Sequence, residues 1–248
     1  MGRVASLVAT AALSLMALGA GAAESPYRPG RGPFPVRIDD SVSLDVRPDG
    51  PAMAVRVVYP DGPGPWPVII FSHGMFASNQ KYMPLLEQWA ARGYAVVAPN
   101  HRDANGGFAP RGNEDVEQLA VTRVLDLTLL MDAVPDLEKA IPALRGKLRP
   151  PPYVGAGHSM GTYTAMLEAG LRLRNPQNGA VTQHMDPRIG AVVMSSDPGK
   201  MALMPGDLWQ GVDVPTFMAT GTEDYGVAGK GRKATDYTAD FLSGAAAA

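Results

Sequence analysis

The chain has 248 residues, of which 46% are apolar and 19% are charged, and it carries a formal net charge of −2. A chain of this length forms one large domain or two small ones, and its lack of cysteine excludes a disulfide scaffold, a thiolate zinc site and a cysteine nucleophile. Nucleic acid is not expected as the main partner, because nucleic-acid binding needs a strongly basic surface.

The first 22 residues are predicted to be a secretory signal peptide, which leaves residues 23–248 as the folded domain. Arg3 supplies a positive charge, residues 4–18 are mostly apolar, and Ala20 and Ala22 place small side chains before the expected cleavage point. The apolar stretch is shorter than the ~20 residues that a membrane-spanning helix needs. We therefore expect an exported protein, secreted or periplasmic, without a stable membrane span.

Predicted strands and helices alternate along the rest of the chain. Apolar and polar residues alternate at 36–46 and 53–59, as in half-exposed antiparallel strands. Short apolar runs predict strands buried in a parallel sheet, at residues 67–71, 94–98, 153–156, 189–194 and 215–219. Helices are predicted at 82–92, from Asn113 to a stop at Pro135, and at 160–174. This order predicts an α/β fold with a mostly parallel central sheet flanked by helices.

A serine motif lies between the fifth predicted strand and the helix that follows it. Residues 157–161 read Gly-His-Ser-Met-Gly, and Gly-x-Ser-x-Gly in this context is the pattern of a nucleophile elbow. The turn is so tight that the positions two residues before and after the serine accept only a very small side chain, which Gly157 and Gly161 provide. Ser159 is therefore the candidate nucleophile.

An oxyanion hole needs two hydrogen-bond donors beside such a nucleophile. Residues 71–75, Phe-Ser-His-Gly-Met, end a buried strand, and the glycine lets the chain turn there. The candidate donors are the backbone N–H groups of Met75 and of Met160, the second at the start of a predicted helix.

A carboxylate that follows the nucleophile in the chain would complete the order serine, acid, histidine. Asp224 is the candidate, at the end of the segment Thr-Gly-Thr-Glu-Asp after the strand at 215–219. Glu223 and Asp197 remain open as alternatives.

These segments resemble the α/β-hydrolase superfamily, and most closely the secreted serine esterases of the dienelactone-hydrolase and platelet-activating-factor-acetylhydrolase-like group, which border the cutinase-like hydrolases. The resemblance is carried by PVIIFSHGM at 67–75, GYAVVAPN at 93–100, GAGHSMGTYTA at 155–165 and VPTFMATGTED at 214–224. It implies an acyl-enzyme on Ser159, with Asp224 as the triad acid. It also implies an oxyanion hole formed by Met75 and Met160, and no metal or organic cofactor.

The triad histidine of that superfamily is not found in its expected place. After Asp224 the sequence has 24 more residues, without a histidine and without the pattern of a last strand. The four histidines are His73, His101, His158 and His184, of which His101 or His73 is the alternative base. No two of them lie three to five residues apart, so a metal site is not expected.

The sequence therefore predicts a carboxylic ester hydrolase that acts on a small-molecule or polymeric ester. Three interpretations of the chain stay open: a C-terminally incomplete copy with weak activity, a hydrolase-like binding protein without catalysis, or an enzyme with its base at another position. An acyltransferase or a serine peptidase is a further alternative.

Overall fold

Strands and helices alternate in the computed structural model, which describes residues 30–107, 113–175, 178–196, 208–221 and 224. The strands are β1 (Val36–Leu44), β2 (Met53–Pro60), β3 (Val68–Ser72), β4 (Ala95–Pro99), β5 (Tyr153–His158), β6 (Arg172–Arg174), β7 (Val181–Gln183), β8 (Ile189–Ser195) and β9 (Thr216–Ala219). The α-helices are α1 (Met83–Ala90), α2 (Asn113–Ala140) and α3 (Met160–Glu168).

Within the described residues, seven strands form one sheet in the order β1-β2-β4-β3-β5-β8-β9, and β6 pairs with β7 separately. Strand β2 is antiparallel to both β1 and β4, whereas β4, β3, β5, β8 and β9 run parallel. The sequence predicts all seven strands of the main sheet, and the structure confirms them within two residues at each end. The predicted α/β class is therefore confirmed. Because the five parallel strands point the same way, the loops after them lie at one edge of the sheet.

The sheet separates two apolar cores. Side chains alternate along a strand, and in β3 Ile70 joins the core that contains α2 and α3 residues, whereas Ile69 and Phe71 join the core that contains α1 residues. All five residues of β3 and all five of β4 are buried. Their near-continuous apolar sequence follows from this two-sided burial.

Helix α2 differs from its prediction, because it continues past Pro135 to Ala140. Proline inside a helix removes one hydrogen bond and costs about 3 kcal/mol. Pro135 is exposed, while Met131, Val134 and Leu137 around it are at most 3% exposed. Burial of this apolar face outweighs the local cost, so the prediction of a helix end at Pro135 is wrong.

Helix α3 is shorter than predicted. It ends at Glu168, and Arg172–Arg174 form strand β6 instead of a last helical turn. Gly170 has a φ of 109°, the Gly170 N–H donates to Leu167 O, and the Leu171 N–H donates to Met166 O at 2.9 Å. This pair of bonds around a left-handed glycine is a Schellman motif, which ends helices. The prediction of a helix to residue 174 is therefore wrong.

Two features of the prediction are not settled by the fold. The proposed signal peptide at residues 1–22 and the chain beyond Asp224, where a last strand is expected, lie outside the described residues. The described residues from Arg31 onward belong to one compact unit. No helix among the described residues is long and apolar enough to cross a membrane.

Replacing Glu168 with glutamine is expected to remove a pH-dependent loss of stability. Burial and the nearby Asp186 raise the pKa of Glu168 to about 8. Glu168 is fully buried, and its Oε1 accepts one long hydrogen bond from Thr128 (3.3 Å). Between its unfolded and folded pKa the native state binds more protons, so the free energy of unfolding falls as pH rises. Above about pH 8, the free energy of unfolding of Glu168→Gln should exceed that of the wild type by roughly 2–4 kcal/mol.

The measurement is urea unfolding of both proteins across this pH range, read as their difference so that other titrating groups cancel. Well below pH 4.5, the ordinary pKa of glutamate, the difference should be small, because Glu168 is then protonated in both states. The exposed Glu87 is the matched control, and Glu87→Gln should leave the pH profile unchanged. A flat difference for Glu168→Gln would contradict the prediction.

Candidate active site

The candidate site lies at the edge of the sheet where the parallel strands end. The Ser159 N–H donates to Ser195 O at 3.1 Å, which joins the end of β5 to the end of β8. The Thr162 hydroxyl donates to the same carbonyl oxygen at 3.1 Å. The Ser196 N–H donates to Ala219 O at 2.8 Å, which joins β8 to β9. Three neighbouring strand ends are thus fixed to one another around Ser159.

Ser159 has the backbone geometry of a nucleophile elbow. Its φ is 52° and its ψ is −120°, a conformation that costs a non-glycine residue of order 1–3 kcal/mol. A Cβ at Gly157 would overlap the backbone of Gly161, and a Cβ at Gly161 would overlap the carbonyl of Ser72. Only glycine fits at either place, so the steric role expected of both glycines is present in the structure.

The loop after β3 has one N–H group without a hydrogen-bond partner among the described residues. The Gly74 N–H donates to the Tyr82 hydroxyl oxygen at 3.0 Å, and the Phe76 N–H donates to Asp103 Oδ2 at 2.9 Å. The Met75 N–H between them donates to no atom of the described residues. Phe76 has a φ of 60°, a strained conformation of the kind that clusters at functional sites.

The second candidate donor, the N–H of Met160, belongs to the first residue of α3. The N–H groups at a helix start have no partner within the helix, and the helix dipole favours negative charge there. Met160 is 2% exposed, so its backbone lies in a poorly solvated region where such a hydrogen bond is stronger.

Asp224 lies next to the ends of β8 and β9. Its carboxylate accepts hydrogen bonds from the hydroxyl of Thr220 at 3.0 Å and from the hydroxyl of Ser196. Its negative charge also acts on His158, where it partly offsets the lowering of the histidine pKa by burial. The alternatives Glu223 and Asp197 lie outside the described residues.

Two of the four histidines belong to buried networks. His73 Nδ1 lies 2.7 Å from Gly74 O, and its Nε2 accepts the backbone N–H of His101 at 3.1 Å. Burial, together with the charges of His101 and Arg123, lowers the pKa of His73 to about 3. His101 is 2% exposed, and burial lowers its pKa as well. Both rings are therefore neutral at physiological pH, with their nitrogens in use.

The other two histidines have different surroundings. His158 Nδ1 lies 2.9 Å from the Tyr82 hydroxyl, so its side chain turns away from Ser159, as expected. His184 follows β7 and precedes β8, at the opposite edge of the parallel sheet. No histidine nitrogen in the described ranges lies within hydrogen-bonding distance of the Ser159 hydroxyl. Those ranges also hold no cluster of three or more His, Asp or Glu side chains that could bind a metal ion.

A buried serine–histidine–aspartate row was not predicted from the sequence. Ser72 Oγ lies 2.9 Å from His101 Nε2, and His101 Nδ1 lies 3.0 Å from Asp126 Oδ2. Arg47 donates to both oxygens of Asp126 at 2.8 and 2.9 Å. Ser72, His101 and Asp126 are at most 2% exposed, so no substrate carbonyl reaches this serine. The row is structural, and His101 is therefore engaged away from Ser159.

The buried ion pair of Arg123 and Asp103, which binds the loop after β3, was not predicted either. Arg123 donates to both oxygens of Asp103 at 3.0 and 2.7 Å, and to the carbonyls of His73 and Gly74 at 2.6 and 3.2 Å. Burial alone would raise the pKa of Asp103, but the hydrogen bonds and charge of Arg123 hold it below its usual value. The ion pair therefore fixes the loop that presents the Met75 N–H.

Fold and site geometry place the protein in the α/β-hydrolase class. A crystal structure described as a dienelactone hydrolase from Klebsiella pneumoniae subsp. pneumoniae MGH 78578 matches with a TM-score of 0.55 and 15% sequence identity. The match covers 86% of this chain and 81% of that chain. At this identity it shows the shared fold, which confirms the expected architecture.

The model of the Chlorophyllase family matches residues 31–180, which is more than half of the chain. The chain belongs to the Chlorophyllase family, whose name and fold indicate an esterase-type hydrolase. The matched span contains Ser159, Met75 and Met160, and Asp224 lies beyond it. No curated protein matches the sequence.

Proposed function

We propose that this protein is an exported serine esterase that cleaves a carboxylic ester through an acyl-enzyme on Ser159. The observation that supports this most strongly is the backbone of Ser159, with a φ of 52° at a turn that only Gly157 and Gly161 permit. Strain of this kind persists where the surrounding structure enforces it, and it clusters at active sites. The signal-like residues 1–22 support export.

In the proposed reaction, Ser159 Oγ attacks the carbonyl carbon of the ester, and the negative charge that develops on the carbonyl oxygen is stabilised by the N–H groups of Met75 and Met160. The ester C–O bond then breaks, the alcohol leaves with a proton, and water later releases the acid from the acyl-serine. Asp224 is the proposed acid of the site. Its position after the carboxyl end of β9, hydrogen-bonded to Thr220 and Ser196, supports this proposal.

None of the four histidines is placed to act as the base of this reaction. A serine hydroxyl is a poor nucleophile unless a base takes its proton. All four histidines have other surroundings, and loss of the histidine in a well-studied serine hydrolase costs on the order of 10⁶ in turnover. We therefore propose slow acylation by this chain. The engaged histidines also favour a second candidate function, a binding protein that keeps the hydrolase fold without turnover.

The proposed substrate class is a carboxylic ester, small or polymeric. The family name denotes enzymes that act on chlorophyll. The elbow at Ser159 supports the broader class, which is therefore proposed for this chain.

Incubation of the exported protein with a fluorophosphonate probe should add one phosphonyl group to Ser159. The fluoride leaves as the phosphorus–oxygen bond forms, and the phosphoryl oxygen occupies the oxyanion hole. Intact mass should correspond to a chain that begins at Ala23 and carries a single adduct, and peptide mapping should place the adduct on Ser159. Reaction should take hours, because no histidine assists it.

Two variants separate the outcomes. Ser159→Ala should abolish the adduct. Ser43→Ala, a change in a strand at the far edge of the sheet, should leave it unchanged. An exported chain that retains residues 1–22 would overturn the signal-peptide proposal. No adduct on Ser159 after prolonged exposure would overturn the esterase and support the binding protein.

A further inference from the structure

The Tyr82 hydroxyl connects the two halves of the proposed oxyanion hole. Its oxygen accepts the Gly74 N–H at 3.0 Å and lies 2.9 Å from His158 Nδ1. Gly74 immediately precedes Met75, and His158 immediately precedes Ser159. A single hydroxyl group thus bridges the loop after β3 and the elbow after β5.

The protonation states define the direction of these bonds. Burial raises the pKa of Tyr82, so the phenol keeps its proton at physiological pH. Burial lowers the pKa of His158, so the imidazole is neutral and can accept at Nδ1. Because the Tyr82 oxygen accepts from Gly74, its one proton is free to be donated to His158. The Tyr82 hydroxyl can therefore accept from the Gly74 N–H and donate to His158 Nδ1 at the same time.

The N–H and the carbonyl of Gly74 are held by different partners. The Gly74 carbonyl accepts from Arg123 and from the Ala77 N–H at 3.1 Å, and it lies 2.7 Å from His73 Nδ1. The Phe76 N–H is bound by Asp103. The Gly74 N–H is held by Tyr82. Loss of the Tyr82 hydroxyl would leave the peptide before Gly74 without this anchor, and the chain could shift about the φ and ψ bonds of Gly74, next to the Met75 N–H.

We propose that Tyr82 is a positioning residue of the esterase site, whose hydroxyl sets the separation of the Met75 and Met160 N–H groups. This inference rests on the proposed function. Tyr82 does not touch the reacting atoms. Its ring packs on Phe71 with centroids 4.9 Å apart, a contact that phenylalanine retains, so Tyr82→Phe removes the hydroxyl and little else.

The test uses the absence of cysteine from the chain. Ser159→Cys introduces a single thiol, whose thiolate reacts without help from a histidine. Two reagents are compared on it. With p-nitrophenyl acetate the thiolate attacks the carbonyl carbon, a C–S bond forms through an oxyanion, and p-nitrophenolate leaves. With iodoacetamide the thiolate displaces iodide from a CH₂ carbon, and no oxyanion forms.

In the Ser159→Cys background, Tyr82→Phe should lower the acylation rate constant about tenfold and leave alkylation unchanged. The expected loss is smaller than the ~10²–10³-fold cost of deleting an oxyanion donor, because the donor is misplaced and not removed. Tyr94→Phe is the matched control, since Tyr94 lies just before β4, at the opposite edge of the sheet, and neither rate should change.

Each outcome decides between the alternatives. An unchanged acylation-to-alkylation ratio in Tyr82→Phe would overturn the positioning role. Parallel loss of both reactions, or a lower melting temperature that accounts for them, would assign Tyr82 a structural role instead. Glutathione serves as a thiol without an oxyanion hole. If the ratio of acylation to alkylation for Ser159→Cys with intact Tyr82 is no higher than the ratio for glutathione, the proposed oxyanion hole itself is contradicted, and the inference with it.

Discussion

Arg123→Met is expected to lower the free energy of unfolding by about 3–5 kcal/mol, the usual cost of removing one partner of a buried ion pair. Arg123 and Asp103 are both fully buried, and their side chains meet through two hydrogen bonds. The change leaves the Asp103 carboxylate without its cation. The carbonyls of His73 and Gly74 lose a donor as well. Urea unfolding measures the effect.

Two comparisons identify the cause. Arg37→Met breaks an exposed ion pair with Asp61, and should lower the free energy of unfolding far less than Arg123→Met, because solvent screens exposed pairs. Adding Asp103→Asn to Arg123→Met removes the unpaired charge but keeps an acceptor for the Phe76 N–H. The double variant should therefore recover at least about 1 kcal/mol. A loss below about 1 kcal/mol for Arg123→Met alone would contradict a structural role for this pair.

The sign of the pH dependence gives a further check on Arg123→Met. In the wild type the pKa of Asp103 is held below its usual value, so its contribution to stability is present at neutral pH and lost as pH falls through that lowered pKa. Without Arg123, burial raises the pKa of Asp103, and the carboxyl can become neutral in mild acid. The stability gap between wild type and variant should therefore be widest near neutral pH and narrow toward about pH 5.

The elements that the sequence predicts correctly are those whose cause is local. The elbow follows from the steric demand of one turn, which Gly157 and Gly161 meet, and the parallel strands follow from apolar runs buried on both faces. The error at the end of α3 has a local cause too. Gly170 could have been recognised as the glycine that ends the helix.

The wrong end of α2 and the unrecognised burial of Arg123 and Asp126 both come from tertiary packing, which a local sequence pattern does not contain. Its continuation past Pro135 depends on which side faces solvent. The buried Arg123 and Asp126 carried a usable pattern, because both lie on the apolar stripe with Leu119 and Leu127, at helical spacing. A charged residue at such a position needs a buried partner. The partners Asp103 and His101 come from a loop after another strand, so sequence spacing alone did not identify them.

Gly161→Ala is expected to destabilise the protein by roughly 2–3 kcal/mol, although alanine is the better helix former by about 1 kcal/mol. A Cβ at Gly161 would overlap the carbonyl of Ser72, which is backbone of the neighbouring strand and cannot rotate away as a side chain could. The overlap should push the β3 end, and with it the Met75 N–H, away from Ser159. Phosphonylation of Ser159 should therefore slow by more than the stability loss explains.

Gly155→Ala in the same strand–turn–helix segment is the matched control for this steric argument. There a Cβ would lie 3.6 Å from the Cβ of Ala165 and from Ile189, which is ordinary van der Waals contact, so unfolding and phosphonylation should change little. If Gly161→Ala were as stable as the wild type, helix propensity would have outweighed the overlap, and the close approach of α3 to β3 would not be what restricts this position to glycine. If both alanine variants lost stability equally, the cost would come from the segment that joins β5 to α3 in general. Only a loss confined to Gly161, accompanied by slower phosphonylation, ties the close packing of the elbow to the reactivity of its serine.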